Sequence, residues 1–330
     1  MVKVFRITFP LLLAFVFAAC QVQEEQPAGA TPTSPVRTLA PILAIETTTP
    51  QPTATLEISP TPEDVLLFAV IGDYGQAEST GAFRVAEMID SWKVDFIVTT
   101  GDNNYQDGEA KTIDVNIGRF YHRYIGDYKG DYNRGSEANR FFPSLGNHDW
   151  SLGNIDPYLD YFTLPGNERY YDFVEGPVHF FILDSDPHEP DGVGLSSDQA
   201  AWLQAALEDA TEPWQIVVMH HPPFSSGPHG STDWMQWPYK KWGVDAVLSG
   251  HDHLYERLSV GGLTYFTNGL GGHGAVYDFV NILPQSEFRY NEEHGAMRIQ
   301  ATSSWILFEF VNIRGEVVDS FTLDVADANP

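Results

Sequence analysis

The sequence predicts a layered α/β fold, and three observations predict it. Apolar runs of strand length recur along the chain, and two amphipathic helical stretches, about 82–92 and 196–210, lie between them. Continuous apolar runs of this kind suit central strands buried on both faces. Five of the runs lead directly into a short Gly- or His-marked segment that supplies Asp, Asn or His. In layered α/β folds, ligand sites gather at the carboxyl ends of strands.

The first element stands outside that pattern. Lys3 and Arg6 precede an apolar run over 9–17. The run is too short to span a bilayer comfortably and fits the apolar region of a signal peptide. Ala18-Ala19-Cys20 follows and resembles a bacterial lipobox, with Phe17 where that motif has a smaller aliphatic residue. A signal peptide is expected over 1–19 and lipidation at Cys20; a secretory peptide with a chance cysteine is the alternative. Cys20 is the single cysteine, so disulfides within the chain and Cys-based zinc sites are excluded. Residues 20–63 are rich in Pro, Thr, Gln and Ala. Such a segment buries too little apolar surface to offset its ordering entropy and reads as a tether. The expected location is the extracytoplasmic face of a bacterial membrane, or secreted, with the lipid anchor as the only membrane contact.

A folded domain is expected over 64–325. The run 65–71 ends at Gly72-Asp73, and the helix near 82–92 shows apolar Phe83, Val85, Met88 and Ile89. The run 96–100 ends at Gly101-Asp102, 141–145 at Gly146-Asn147-His148, and 178–183 at Asp184. The helix 196–210 has Ser196 or Ser197 as its N-cap and Ala201, Leu203 and Leu207 inward. The run 215–219 ends at His220-His221, and 246–248 leads to Gly250-His251-Asp252-His253. Strands alone follow over 263–267, 304–312 and 317–323, the last two joined by a hairpin at Arg314-Gly315.

The 330 residues carry 18 Lys and Arg against 45 Asp and Glu, a formal net charge of −27. A chain this acidic is a poor candidate for gripping nucleic acid through bulk charge. Attraction for a phosphate would have to be local, such as a metal. The donors near the strand ends are Asp73, Asp102, Tyr105, Asn147, His220, His251 and His253. They exceed the needs of one four-coordinate ion and suit two adjacent metals that share a carboxylate. A lone Gly-Asp is ordinarily a turn, and a lone buried His is ordinarily a hydrogen-bonded core residue. Recurrence at five strand ends is what separates this set from those cases. Gly269-Leu270-Gly271-Gly272-His273-Gly274 spells G-x-G-x-x-G, but it lies late, among strands, with no helix after it. That context argues against a dinucleotide site.

Five blocks carry a resemblance: Gly72-Asp73-Tyr74-Gly75, Gly101-Asp102-Asn103-Asn104-Tyr105, Gly146-Asn147-His148-Asp149, Val217-Val218-Met219-His220 and Gly250-His251-Asp252-His253. In this order they resemble the calcineurin-like metallophosphoesterases and, among them, the purple acid phosphatases of the short, tartrate-resistant type. The resemblance implies a four-layer β-sandwich flanked by helices, with a dinuclear site at the carboxyl ends of its strands. Most of that superfamily has a His ligand where Gly75 stands, and in purple acid phosphatases a tyrosine, here Tyr105, replaces it. By the resemblance, Asp73, Asp102, Tyr105 and His253 are implied as ligands of Fe(III). Asp102, Asn147, His220 and His251 are implied as ligands of Fe(II), Zn(II) or Mn(II), with Asp102 as the bridge.

His148 is implied to bind the phosphate and to protonate the leaving oxygen while hydroxide attacks phosphorus in line. His229, in Pro228-His229-Gly230, resembles a second substrate-side histidine; a solvated loop histidine is the alternative. His221 is expected to point away from the metals, and no motif supports a role for His122, His179, His188, His273 or His294. The implied activity is hydrolysis of a small phosphate monoester. A phosphodiesterase or nucleotidase on the same site, and a lipid-anchored capture protein for phosphate or metal, are the alternatives.

Overall fold

Residues 64–325 are described by a computed structural model; the expected signal peptide over 1–19 and the lipidated Cys20 and tether over 20–63 lie outside the described residues. The elements, in chain order, are β1 (Leu66–Ile71), α1 (Thr80–Trp92), β2 (Phe96–Thr99), α2 (Ala110–Ile113), α3 (Arg119–Tyr121), β3 (Phe141–Pro143), α4 (Asp156–Tyr161), β4 (Tyr171–Glu175) and β5 (Val178–Ile182). They continue with α5 (Asp198–Asp209), β6 (Trp214–Val218), α6 (Tyr239–Trp242), β7 (Ala246–Ser249), β8 (Tyr255–Val260), β9 (Leu263–Asn268), β10 (Ser286–Tyr290), β11 (Gly295–Ala301), β12 (Trp305–Asn312) and β13 (Val317–Asp324).

Two sheets form. One has the order β13-β12-β11-β1-β2-β3 and the other β10-β8-β9-β7-β6-β5-β4. β1, β2 and β3 run parallel, as do β5, β6, β7 and β9, so their carboxyl ends share a direction within each sheet. Successive side chains on a strand point to opposite faces. Accordingly Phe68 and Val70 of β1 pack with Phe180, Ile216, Val218 and Leu248 of the other sheet, forming the core between the sheets. Ala69 and Ile71 turn outward onto Val85 and Ile89 of α1. Phe181, Val217 and Val247 turn outward from the second sheet onto Leu203 and Leu207 of α5. The result is a mixed α/β fold of four layers, with two sheets enclosed by helices.

The two long helices refine the sequence reading, which places Ala201 inward. Phe83 is exposed, because Ala82, Val85 and Ile89 form the buried stripe. Ala201 is likewise exposed, and Ala200, Leu203 and Leu207, spaced i, i+3, i+7, face the sheet. Ser197 is the N-cap of α5, accepting a hydrogen bond from the Ala200 N–H at 3.1 Å. The β12–β13 hairpin turns at Gly315, whose φ of +81° costs a glycine little.

Candidate metal centre

The donors emerge where strands stop. Asp73 follows β1, Asp102 follows β2, Asn147 and His148 follow β3, His220 follows β6, and His251 and His253 follow β7. Three of these turns are strained: φ is +56° at Asp73, +53° at Asp102 and +69° at His251. Left-handed backbone is uncommon away from glycine and clusters at functional sites. At each of these positions the residue is a potential metal donor instead of a glycine.

The side chains meet in two groups that share one residue. Tyr105 Oη donates to Asp102 Oδ2 at 2.8 Å, and Asp73 Oδ1 and His253 Nε2 lie 3.2 and 3.3 Å from it. His253 Nε2 is 3.3 Å from Asp73 Oδ1. In the second group, His220 Nε2 lies 3.4 Å from Asp102 Oδ2, 3.0 Å from Asn147 Oδ1 and 3.2 Å from His251 Nδ1. Asp102 stands between the groups. His251 joins one group and His253 the other.

Neighbouring hydrogen bonds orient these donors. His220 Nδ1 bonds the Thr100 carbonyl at 2.8 Å and His253 Nδ1 the Ala275 carbonyl at 3.0 Å, so Nε2 of each ring is turned to the cluster. The remaining oxygens of the two carboxylates are held by backbone. Asp73 Oδ2 accepts from the His251 N–H and Asp102 Oδ1 from the His148 N–H, both at 2.9 Å. Beneath them, Asp149 accepts from the Gly146 N–H and from the Asn103 backbone and side chain, which ties the second block to the third.

The glycine at position 75 has a local cause. A Cβ there would fall 2.0 Å from the Asn103 carbonyl oxygen, and the Gly75 carbonyl accepts from the Tyr105 N–H at 2.9 Å. The segment that lacks a donor at position 75 is the segment that holds the phenol in place.

The donor set fits a cation. Ligand atoms of buried Asp73, Asp102 and His220 all lie within 4.8 Å of one another. Oxygen and imidazole donors without thiolate suit hard or borderline ions. Burial pulls the His220 imidazole down, but the charges of Asp102 and Asp73 override it and push it up to about 10. Burial likewise raises Asp102, yet His220 and His148 hold it well below the usual carboxylate range. The cluster therefore favours a positive charge at its centre.

All nine predicted site residues come together. His148 Nε2 is 4.0 Å from Asp102 Oδ2, and its ring lies 4.3 Å from that of Tyr105. The His229 ring is 4.3 Å from that of His251. His221, buried beside His251, bonds Ser185 Oγ at 2.9 Å through Nδ1. His273 had no motif behind it, yet its ring lies 4.2 Å from Tyr105 and 4.5 Å from His253. Its loop follows β9 and packs backbone against backbone: Gly271 N–H donates to the Gly72 carbonyl and His273 N–H to that of Asp73, both at 2.9 Å. The glycine-rich motif there, dismissed as a dinucleotide fingerprint, is a wall of the site.

Comparison with known proteins identifies the family. Residues 66–255 match the family model for calcineurin-like phosphoesterase. Purple acid phosphatase 7 of Arabidopsis thaliana is 25% identical over 295 residues, covering 80% of this chain and 88% of its own. Human tartrate-resistant acid phosphatase type 5 is 27% identical over 243 residues, 62% of this chain and 73% of its own. A purple acid phosphatase from yellow lupin (Lupinus luteus) seeds has the same fold, with a TM-score of 0.66 at 20% identity. The likeness covers 81% of this chain and 55% of the lupin chain's length. These relatives support a hydrolase that acts on phosphoesters at a dinuclear metal site.

Proposed function

Since the chain belongs to the calcineurin-like phosphoesterases, we propose that it hydrolyses phosphate monoesters in the manner of a purple acid phosphatase. The observation that carries this reading is Tyr105, whose hydroxyl sits between Asp73, Asp102 and His253. On this reading Asp73, Asp102, Tyr105 and His253 would hold Fe(III), and Asp102, Asn147, His220 and His251 would hold Fe(II), Zn(II) or Mn(II). When bound, the two cations neutralise phosphate oxygens and lower the pKa of water.

The chain's own residues do the rest. His148 Nδ1 donates to the Gln106 carbonyl at 2.5 Å, which fixes the ring and leaves Nε2 to carry the proton for the leaving oxygen. His229, beside His251, offers a second imidazole to the phosphate. Burial and the neighbouring carboxylates raise the Tyr105 phenol well above its ordinary value, so a highly charged cation is needed to ionise it.

The test is turnover of aryl monoester and aryl bis-ester substrates by protein grown with iron and zinc, together with its visible spectrum. Monoester turnover should dominate, and the protein should be violet or pink through a ferric phenolate band that Tyr105→Phe abolishes. Faster diester turnover would make it a phosphodiesterase. Turnover of neither ester would leave a capture protein.

A further inference from the structure

Asp252 lies between the donors His251 and His253, yet its side chain takes no part in the cluster. It is fully buried and turns the other way, onto the loop that follows His220-His221. Its Oδ2 accepts from Ser225 Oγ at 2.5 Å and its Oδ1 accepts from the His229 N–H at 3.0 Å. Ser225 Oγ in turn accepts from the Gly227 N–H at 3.0 Å. The contact is close: a Cβ on Gly227 would lie 2.3 Å from the Asp252 carboxyl carbon. The next serine is anchored separately, since the Ser226 N–H and Oγ both donate to Glu256, at 2.8 and 2.6 Å. Of these bonds, the one from the His229 N–H to Asp252 reaches the histidine itself.

We infer that Asp252 is a positioning residue. Its carboxylate ties the 225–229 loop to the turn that carries His251 and His253, and so sets where the His229 imidazole stands beside His251. The inference rests on His229 acting on the substrate phosphate. A buried carboxylate suits this role because a charged acceptor makes stronger hydrogen bonds than a neutral one, and its direction is fixed by its own backbone turn.

The test is a double-mutant cycle on the metal-loaded protein, reading kcat/KM with an aryl phosphate and, by calorimetry, the affinity for inorganic phosphate. His229→Ala should lower kcat/KM about 10- to 100-fold, the range for losing a hydrogen bond to a charged group. Asp252→Ala should lower it in the same direction, with phosphate affinity falling in step and metal content unchanged. In the His229→Ala background, Asp252→Ala should change either readout less than about threefold, because coupled residues are not additive. Ser225→Ala, which leaves the metal turn untouched, should give a smaller loss that also vanishes without His229. Full additivity of Asp252→Ala or of Ser225→Ala with His229→Ala would overturn the inference. If Asp252→Ala loses metal, the Ser225→Ala cycle decides. An unchanged kcat/KM in His229→Ala would instead remove the substrate role of His229, and the role of Asp252 with it.

Discussion

Buried carboxylates lie near the two ends of β7 in opposite conditions. Asp245 enters the strand; its Oδ2 accepts from the Gln215 N–H at 2.8 Å, and burial pushes its carboxyl up to about 6 against the pull of that bond and of Lys240. Near the other end, where His251 and His253 leave the strand, Asp102 is buried more deeply still and yet is held well below the usual range. Burial raises both. What differs is the balance: Asp102 faces His220 at 3.4 Å, whereas the pull of the Gln215 N–H and of the Lys240 charge on Asp245 does not offset burial. A cavity of about 600 Å³ also lies away from the cluster, lined in part by Leu66, Asp95, Phe96, Arg140 and Glu175. It gathers no set of convergent imidazoles and carboxylates, so volume is a poorer guide to the chemistry here than converging donors.

If the carboxyl end is built around cations, the largest effect should come from the residue shared by both donor groups. Asp102→Ala is expected to lower both metals per chain and to reduce turnover by at least about 10⁴-fold, since the chemistry needs both charges. Metal analysis alongside kinetics checks it. A variant that keeps two metals and most of its activity would end the idea of a shared carboxylate. Next comes His148→Ala, which removes a ring beside Tyr105 and Asp102 but preserves the backbone N–H bond to Asp102. Turnover should fall about 10²- to 10⁴-fold, as for loss of a general acid, with metal content intact. Loss of metal along with turnover would show that His148 supports the cluster and does not serve the leaving group.

Much of the carboxyl end was legible in the sequence because its donors are punctuated. Gly72-Asp73, Gly101-Asp102 and Gly250-His251 each mark the point where an apolar strand stops, and the strain at Asp73, Asp102 and His251 is the structural counterpart of that punctuation. Tyr105 was harder, since it is not itself a strand-end residue, and its role in place of a histidine at position 75 came from the family's residue pattern. His273 was missed because its glycines mimic a different motif; their purpose is close backbone approach to Gly72, which needs the tertiary fold to be seen. Four strands were missed as well. β4 and β10 are edge strands with few buried residues, β8 carries Glu256 and Arg257, and in β11 Arg298 pairs with Glu309 at 2.8 Å. Polar residues paired across a sheet blur the hydrophobic signal on which a strand reading depends.

The smallest expected effect tests the amino end. Because folding raises the Asp245 pKa to about 6 from 3.8, the folded state keeps this proton where the unfolded chain has lost it. Its relative stabilisation is fully present below pH 4 and is lost as pH rises through 6. Asp245→Asn keeps an acceptor for the Gln215 N–H and cannot ionise. Its stability relative to the parent should therefore be level below pH 4, climb between 4 and 6, and settle at a gain of roughly 1–3 kcal/mol at pH 7. Thermal unfolding of both proteins across this range reads the difference directly, and other titrating groups cancel between them. A gain that appears at pH 3 and disappears by pH 7 would mean that the Lys240 charge outweighs burial at Asp245, and the contrast between the two ends of β7 would be lost.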